Sequence, residues 1–250
     1  MPQTILITGA TGIAEATALA AAAQGDSIFV VSRTESHCQD LCARLPNSGY
    51  HACDLRDERD VEQAFAACLR KFNGVDALFN VAGISGRKLG DGPVHECSVE
   101  GWDVTLDTNV RSMFLLCRSA LRFWLETERR GTILNMASVL AFSPQAQHFA
   151  THAYAASKGA IISMSRAMAA YYAPHKIRVN VIAPGLVRTP MSVRAQSNSE
   201  VLKFIAHKQP LSEGMLDAAD VAGTALFLLS DQSRHMTGQV VGIDGGWAVS

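Results

Sequence analysis

Thr4-Ile5-Leu6-Ile7-Thr8-Gly9-Ala10-Thr11-Gly12-Ile13-Ala14 joins an apolar run, a glycine turn and the start of a helical pattern. Ile5 to Ile7 are apolar at consecutive positions, as a strand needs when helices cover both faces, and such strands belong to parallel sheets. In the turn, small residues let backbone N–H groups approach a pyrophosphate, and the helix N-terminus behind it adds about half a positive charge. A tight strand-to-helix turn without a ligand has the same composition; its placement between a first strand and a first helix favours ligand binding. No Gly-Lys-Ser/Thr follows Gly12, so this is not a nucleoside triphosphate loop.

The same rhythm runs outward along the chain. Ser27 to Ser32, Tyr50 to Cys53, Ala77 to Val81, Thr132 to Met136, Arg178 to Ile182 and Gln239 to Ile243 read as further strands. Helical periods cover Gly12 to Gln24, Glu35 to Leu45, Arg59 to Phe72, Val99 to Thr127, Ala153 to Ala173 and Ala218 to Ser230. Met191 to about His207 has no clear order. Right-handed crossovers turn these units into an α/β fold, a doubly wound, Rossmann-like parallel sheet of about seven strands, with ligands beyond the strands' carboxyl ends. No Pro/Ser/Gly-rich linker or charge block interrupts the pattern, so residues 1–250 are expected to form a single domain.

Hydrophobic residues make up 48 % of the 250, ample for a buried core. The net charge of -1, from 22 basic and 23 acidic residues, gives no field of either sign, so the expected partner is a small molecule and not nucleic acid or a membrane. The six cysteines form no CxxC pair and have no HxxxH neighbour, so no metal site is expected. Cys38 and Cys42 share a helix face, which reads as packing. Met1 to Thr8 has no features of a signal peptide and no apolar run reaches membrane length, so a cytoplasmic location is expected.

Four later segments stand in register with the glycine turn: Asn80-Val81-Ala82-Gly83, Asn109 in its helix, Ser138 with Tyr154-Ala155-Ala156-Ser157-Lys158, and Pro184-Gly185-Leu186-Val187-Arg188-Thr189-Pro190. With Thr8 to Ala14 at one end and Thr237 to Gly246 at the other, the chain resembles the short-chain dehydrogenase/reductase family in its compact form, over nearly all its length. Two departures stand out. Only Ala10 and Thr11 separate Gly9 from Gly12, with Ala14 in place of a third glycine, and the interval from Ser138 to Tyr154 is a few residues longer than usual. Ala141 to Thr151 is expected to bulge outward while both ends keep their places. Ser143 is the rival serine, but Ser138 directly follows the strand.

The resemblance implies a nicotinamide-dependent oxidoreductase acting on a secondary alcohol/ketone pair. A bare phenol, with a pKa of about 10, is a poor base at neutral pH. Lys158 stands one helical turn beyond Tyr154, and its ammonium would favour the phenolate. In the family the matching tyrosine exchanges the proton with the substrate oxygen while hydride moves to or from the nicotinamide, and the lysine also holds the nicotinamide ribose. By the same resemblance Ser138 steadies charge on the substrate oxygen, and Asn109 anchors a water joining Lys158 to solvent. Alone, a Tyr and a Lys four apart on a helix are ordinary surface neighbours; the register makes them a candidate pair.

The implied cofactor contacts are Gly9, Thr11, Gly12 and Ile13 on phosphate, Asp54 and Leu55 on adenine, and Asn80, Ala82 and Gly83 against the adenosine ribose. Tyr154 and Lys158 also belong to this set. Pro184, Gly185, Val187 and Thr189 would reach the nicotinamide. Ser32 and Arg33 close the second strand where an acidic residue would favour NAD; a hydroxyl and a guanidinium suit a 2'-phosphate, so NADP is expected, with NAD as the alternative.

Met191 to Pro210 mixes polar and apolar residues as a lid over a substrate would. Ile84 to Val94 and Ala141 to His152 are expected to help it select the substrate, with His148 and His152 read as surface histidines. Trp102 and Trp124 read as core or subunit packing. The family's usual contact helices imply a homodimer or homotetramer. A catalytically idle nucleotide-binding regulator on the same fold is the alternative, against which the intact Ser138, Tyr154 and Lys158 set speaks. An epimerase or dehydratase would need a larger substrate domain.

Overall fold

The computed structural model describes residues 2–250. Its strands β1 (Thr4–Thr8), β2 (Ser27–Ser32), β3 (Ser48–Ala52), β4 (Ala77–Asn80), β5 (Gly131–Met136), β6 (Ile177–Pro184) and β7 (Val240–Ile243) form one parallel sheet in the order β3-β2-β1-β4-β5-β6-β7. The order reverses between β1 and β4, and a ligand crevice opens at such a switch point, beyond the strand ends. There the register aligns Thr8 with Asn80 and Asn80 with Asn135.

Among the described residues ten α-helices connect and cover the strands: α1 (Ile13–Ala23), α2 (Glu35–Cys42), α3 (Glu58–Phe72), α4 (Val99–Leu106), α5 (Ser112–Glu126), α6 (Ala146–Phe149), α7 (His152–Tyr172), α8 (Val193–Gln196), α9 (Ser199–Lys208) and α10 (Ala218–Leu229). Successive strand residues point to opposite faces, so each strand feeds two cores. Leu6, Leu78 and Ile133 pack with Val61 and Phe65 of α3, Leu116 and Trp124 of α5, and Ile161 of α7. Ile5, Ile7, Phe79 and Leu134 pack on the other face with Ala14 and Ala18 of α1, Leu41 of α2, and Val221 and Leu228 of α10. Each fully buried Leu or Ile contributes about 1.5–3 kcal/mol, which explains the unbroken apolar runs of the central strands.

A smaller cluster of Val139, Ala195, Val201, Ile205, Met215 and Trp247 lies beneath α8 and α9. The stretch without clear order in the sequence therefore holds two helices seated on their own apolar floor. Trp124 is fully buried, with its indole N–H donating to the Val75 carbonyl at 2.6 Å, whereas Trp102 is partly exposed. No helix among the described residues is long and apolar enough to cross a membrane.

The expected single helix from Val99 to Thr127 is corrected in one respect. A π-helical turn at Asp107–Arg111 separates α4 from α5. It contains Asn109, whose amide is bonded to a neighbouring loop, and a wider turn of this kind re-aims one side chain without ending the helix.

Candidate active site

Tyr154 lies in the first turn of α7 and is half-buried; Lys158, one turn on, is buried, with Nζ 5.5 Å from the tyrosine ring centroid. The Lys158 ammonium donates to the Met136 carbonyl at the end of β5 at 2.8 Å. Ser138 follows two residues later at the start of a 3-10 turn, and its hydroxyl accepts from the Leu140 N–H at 3.2 Å. Burial pushes the Tyr154 phenol above its usual pKa, and the Ser138 hydroxyl beside it pulls it back. Burial lowers Lys158 to about 8, because its charge has left water for a single carbonyl partner.

Asn109 ties three segments together. Its Oδ1 accepts from the Ile84 N–H at 2.8 Å, and its Nδ2 donates to the Ile84 carbonyl at 3.0 Å and to Ser157 Oγ at 2.9 Å. Ser157 in turn donates to the Tyr154 carbonyl at 2.7 Å. Gly83 is confined here: a Cβ would stand 2.9 Å from Asn109 Oδ1 and 3.6 Å from Lys158 Nζ.

At the switch point, the Thr8 hydroxyl accepts from the Val81 and Ala82 N–H groups at 2.9 and 3.0 Å, locking β1 to the chain beyond β4. The turn between Thr8 and α1 uses left-handed backbone at Gly9 (φ 91°) and Gly12 (φ 61°), which a side chain would strain. At Gly12 a Cβ would also come within 3.0 Å of Thr189. No side chain caps α1, so its first amides keep free donors beside a glycine cradle, and these residues fit a pyrophosphate. Ala14 packs 3.4 Å from the Gly9 Cβ position.

Ser32 is half-buried and Arg33 exposed at the end of β2. Leu55 is buried, but Asp54, read from the sequence as an adenine acceptor, is not a free carboxylate. Arg56 grips it through Nε at 3.0 Å and Nη2 at 2.6 Å, which holds the Asp54 carboxyl below its usual range.

The Pro184 to Thr189 loop is held from behind by Gln209, which is fully buried. Gln209 Oε1 accepts from the Leu186 N–H and Nε2 donates to the Gly214 carbonyl at 2.8 Å. At Gly185 a Cβ would meet that same Oε1 at 2.5 Å. The Thr189 N–H donates to Ser192 Oγ at 3.0 Å, so the loop runs directly into the segment that carries α8 and α9.

The interval between Ser138 and Tyr154 contains α6, and three segments hold it. Arg87 Nη2 and Arg194 Nη2 both donate to the His148 carbonyl, at 3.2 and 3.0 Å. The His148 ring lies 5.2 Å from that of Phe204 in α9, and Phe149 lies 5.5 Å from Trp247, whose indole N–H donates to the Ser143 carbonyl. His152 Nδ1 accepts from the Val94 N–H at 3.0 Å, making that ring a loop fastener. Asp91, buried, accepts from the Ala153 and Tyr154 N–H groups through its two oxygens, at 2.9 Å each.

Asp91, Ser157, Gln209 and Arg56 were not singled out by the sequence reading. Ser157 could have been found, one position before Lys158 on the same helix. Asp91 caps a helix 62 positions away, and no local pattern marks it.

The family model described as enoyl-(acyl carrier protein) reductase matches residues 8–248. Dehydrogenase/reductase SDR family member 6 of Rattus norvegicus is 32 % identical over 249 residues, covering 98 % of this chain and 96 % of that protein. The solved 3-ketoacyl-(acyl-carrier-protein) reductase of Brucella melitensis, complexed with NADH, is similar at TM-score 0.88 and 30 % identity, covering 99 % of this chain and 98 % of that one. An actinorhodin polyketide ketoreductase solved with NADPH has TM-score 0.88 and 27 % identity, covering 100 % and 98 %.

Proposed function

Because this chain belongs to the short-chain dehydrogenase/reductase family of oxidoreductases, we propose that it interconverts a secondary alcohol and a ketone with a nicotinamide cofactor, using Tyr154 as acid and base. The observation that carries this is the buried Lys158 one turn from Tyr154, with its ammonium anchored on Met136 and Ser138 beside the phenol. The reduced nicotinamide, when bound, supplies a hydride to the carbonyl carbon.

The Tyr154 hydroxyl gives its proton to the substrate oxygen during reduction and takes it back during oxidation. Ser138 donates to that oxygen as charge grows on it, and the buried surroundings strengthen the interaction. Lys158, with a pKa of about 8, gains and loses a proton far more readily near neutral pH than an exposed lysine, which suits it to resupply Tyr154. Both amide N–H donors of Asn109 are committed to Ile84 and Ser157, so a water at Asn109 would rest on an oxygen acceptor.

Gly9, Thr11, Gly12 and Ile13 would hold the pyrophosphate; Leu55, Asn80, Ala82 and Gly83 the adenosine; Pro184, Gly185, Val187 and Thr189 the nicotinamide. With Asp54 bound by Arg56, the adenine amino group would compete with a guanidinium for that carboxylate. Ser32 with the exposed Arg33 supports NADP over NAD. The reading takes the chain as one domain acting on a small molecule. Exposed Trp102, Phe114 and Leu125 on α4 and α5, with Tyr171 on α7, support a homodimer or homotetramer through those helices.

The test is a screen of ketone classes with NADPH and with NADH, following loss of reduced-nicotinamide absorbance. Ketone-dependent oxidation with higher kcat/KM for NADPH is expected. A preference for NADH would overturn the cofactor assignment, and no oxidation with any ketone class would overturn the reaction.

A further inference from the structure

Arg87 and Arg194 reach the His148 carbonyl from different sides, Arg87 from the loop after β4 and Arg194 from α8. With donor distances of 3.2 and 3.0 Å to one oxygen, the two guanidinium nitrogens stand no more than about 6 Å apart. Two like charges that close repel unless an anion lies between or beside them. Of the sixteen arginines, Arg44, Arg56, Arg118 and Arg188 pair with a carboxylate; among the described residues Arg87 and Arg194 pair with none, and they share a single carbonyl. The nearby acid is Asp91, and both its oxygens are committed to the first amides of α7. Arg87 is half-buried, and burial, then the neighbouring Arg194, pull its guanidinium below the usual pKa, while the Asp91 charge pulls it back.

The position matters as much as the charge. Arg87 stands three residues beyond Ile84, whose backbone is bonded to Asn109 and through Ser157 to Tyr154. His148 lies six residues before Tyr154 in the segment that lengthens this chain, and Arg194 lies on the lid five residues beyond Thr189. Gly86, next to Arg87, lies against Asp91, which accepts from the Tyr154 N–H, so the two charges stand near the start of α7, at the rim of the proposed site. Among the described hydrogen bonds, each guanidinium uses one donor of the five it carries. The rest can form the parallel pairs that oxyanions accept.

Resting on the oxidoreductase reading above, we propose that Arg87 and Arg194 form a clamp for an oxyanion carried by the substrate, whose carbonyl end then lies toward Tyr154. The substrate class is an oxo-acid or a phosphorylated ketone. The lengthened segment supplies the His148 carbonyl that holds both guanidiniums in place between turnovers.

The purified full chain is assayed with reduced cofactor against acetoacetate, levulinate and their methyl esters, and against dihydroxyacetone phosphate and dihydroxyacetone. Loss of a charge-assisted hydrogen bond corresponds to about tenfold, so the charged member of at least one pair should exceed its neutral partner about tenfold in kcat/KM, mainly through KM. Preference within the acids or for the phosphate identifies the oxyanion. Arg87→Gln and Arg194→Gln should each erode that ratio, and the double variant should bring it near one.

A ratio near one in the unmodified protein overturns the proposal. So do variants that lower charged and neutral turnover equally along with Tm, since the arginines would then only hold the His148 segment. If no member of any pair is turned over, the reductase reading fails for these substrates, and calorimetric titration of levulinate and of dihydroxyacetone phosphate decides the clamp. Binding of either that weakens in both variants supports it, and absence of both overturns it.

Discussion

Of the backbone carbonyls that hold cations in this molecule, those of Met136 and His148 are held differently. The Met136 carbonyl, which accepts from Lys158, ends a buried strand and faces a long helix. The His148 carbonyl, which accepts from Arg87 and Arg194, belongs to a four-residue helix between longer connections. The floor of the proposed site is thus positioned by sheet register and helical period. The rim is positioned by pairwise contacts among residues 84–94, 141–151 and 191–210. Damage to the floor should lower the rate on every substrate, whereas damage to the rim should change which substrate is accepted.

Tyr154→Phe breaks the floor most directly. It removes the hydroxyl and keeps the ring, and kcat should fall by roughly 10²- to 10⁴-fold on any substrate, with cofactor binding retained. Steady-state assays with fluorescence titration of the reduced cofactor check this. Undiminished turnover would mean that the floor does not carry the chemistry.

Lys158→Met separates charge from packing on the floor. The folded pKa of about 8 lies below the ordinary lysine value of 10.5, so between those limits the unfolded chain binds more protons and stability rises with pH. Below pH 8 the full cost of the buried ammonium is present. The variant should therefore gain on the parent as pH falls from about 10 to 8, by at most about 3 kcal/mol, and then level off. The thiols of Cys38, pushed up to about 11, and of Cys53, Cys68 and Cys117, pushed up to about 12, make both proteins less stable as pH rises through the ordinary thiol range. The difference between the two denaturation curves isolates Lys158, and a difference flat with pH would rule out the depressed pKa.

Gly83→Ala should disturb the floor through space. Its Cβ would press on Asn109 Oδ1 at 2.9 Å, and displacing Asn109 loosens the bonds to Ile84 and Ser157. Overpacking of this kind costs about 1–3 kcal/mol, read as a lower Tm, and kcat should fall with it. A normal Tm and kcat would show that the floor yields more easily than its hydrogen bonds imply.

The legibility of the two regions in the sequence follows the same division. Ile5 to Ile7 announce a doubly covered strand because burial on both faces acts on consecutive residues, and the Thr8 to Ala14 turn announces its helix. The π turn at Asn109 left no such mark, because it depends on where Ile84 and Ser157 come to lie. Asp54 shows the limit at close range: its position at a strand end was readable, but whether Arg56 two residues on would turn back and grip it was not. At the rim, contacts span 46 residues for Arg194 with His148 and 104 for Trp247 with Ser143, beyond any periodic signal.

Asp91 is where rim and floor meet, and Asp91→Ala gives the smallest and most discriminating effect. α7 begins without a cap from its own N-cap residue, Thr151. Asp91 supplies the missing acceptors from the rim loop, one oxygen to Ala153 and one to Tyr154. Removing an N-cap costs about 1 kcal/mol, so the loss of Tm should be modest. Because one of the freed amides belongs to Tyr154, the first turn should also fray where the phenol is positioned, lowering kcat while leaving the KM for cofactor near its original value. Asp91→Asn keeps one acceptor oxygen and should recover part of kcat. If Asp91→Ala lowers Tm but leaves kcat intact, the floor holds Tyr154 through Ser157 alone and the two regions are independent. If kcat falls and Asn restores it, a rim residue sets the geometry of the proposed proton-transferring group, because Asp91 fixes the end of the connection that leads into α7.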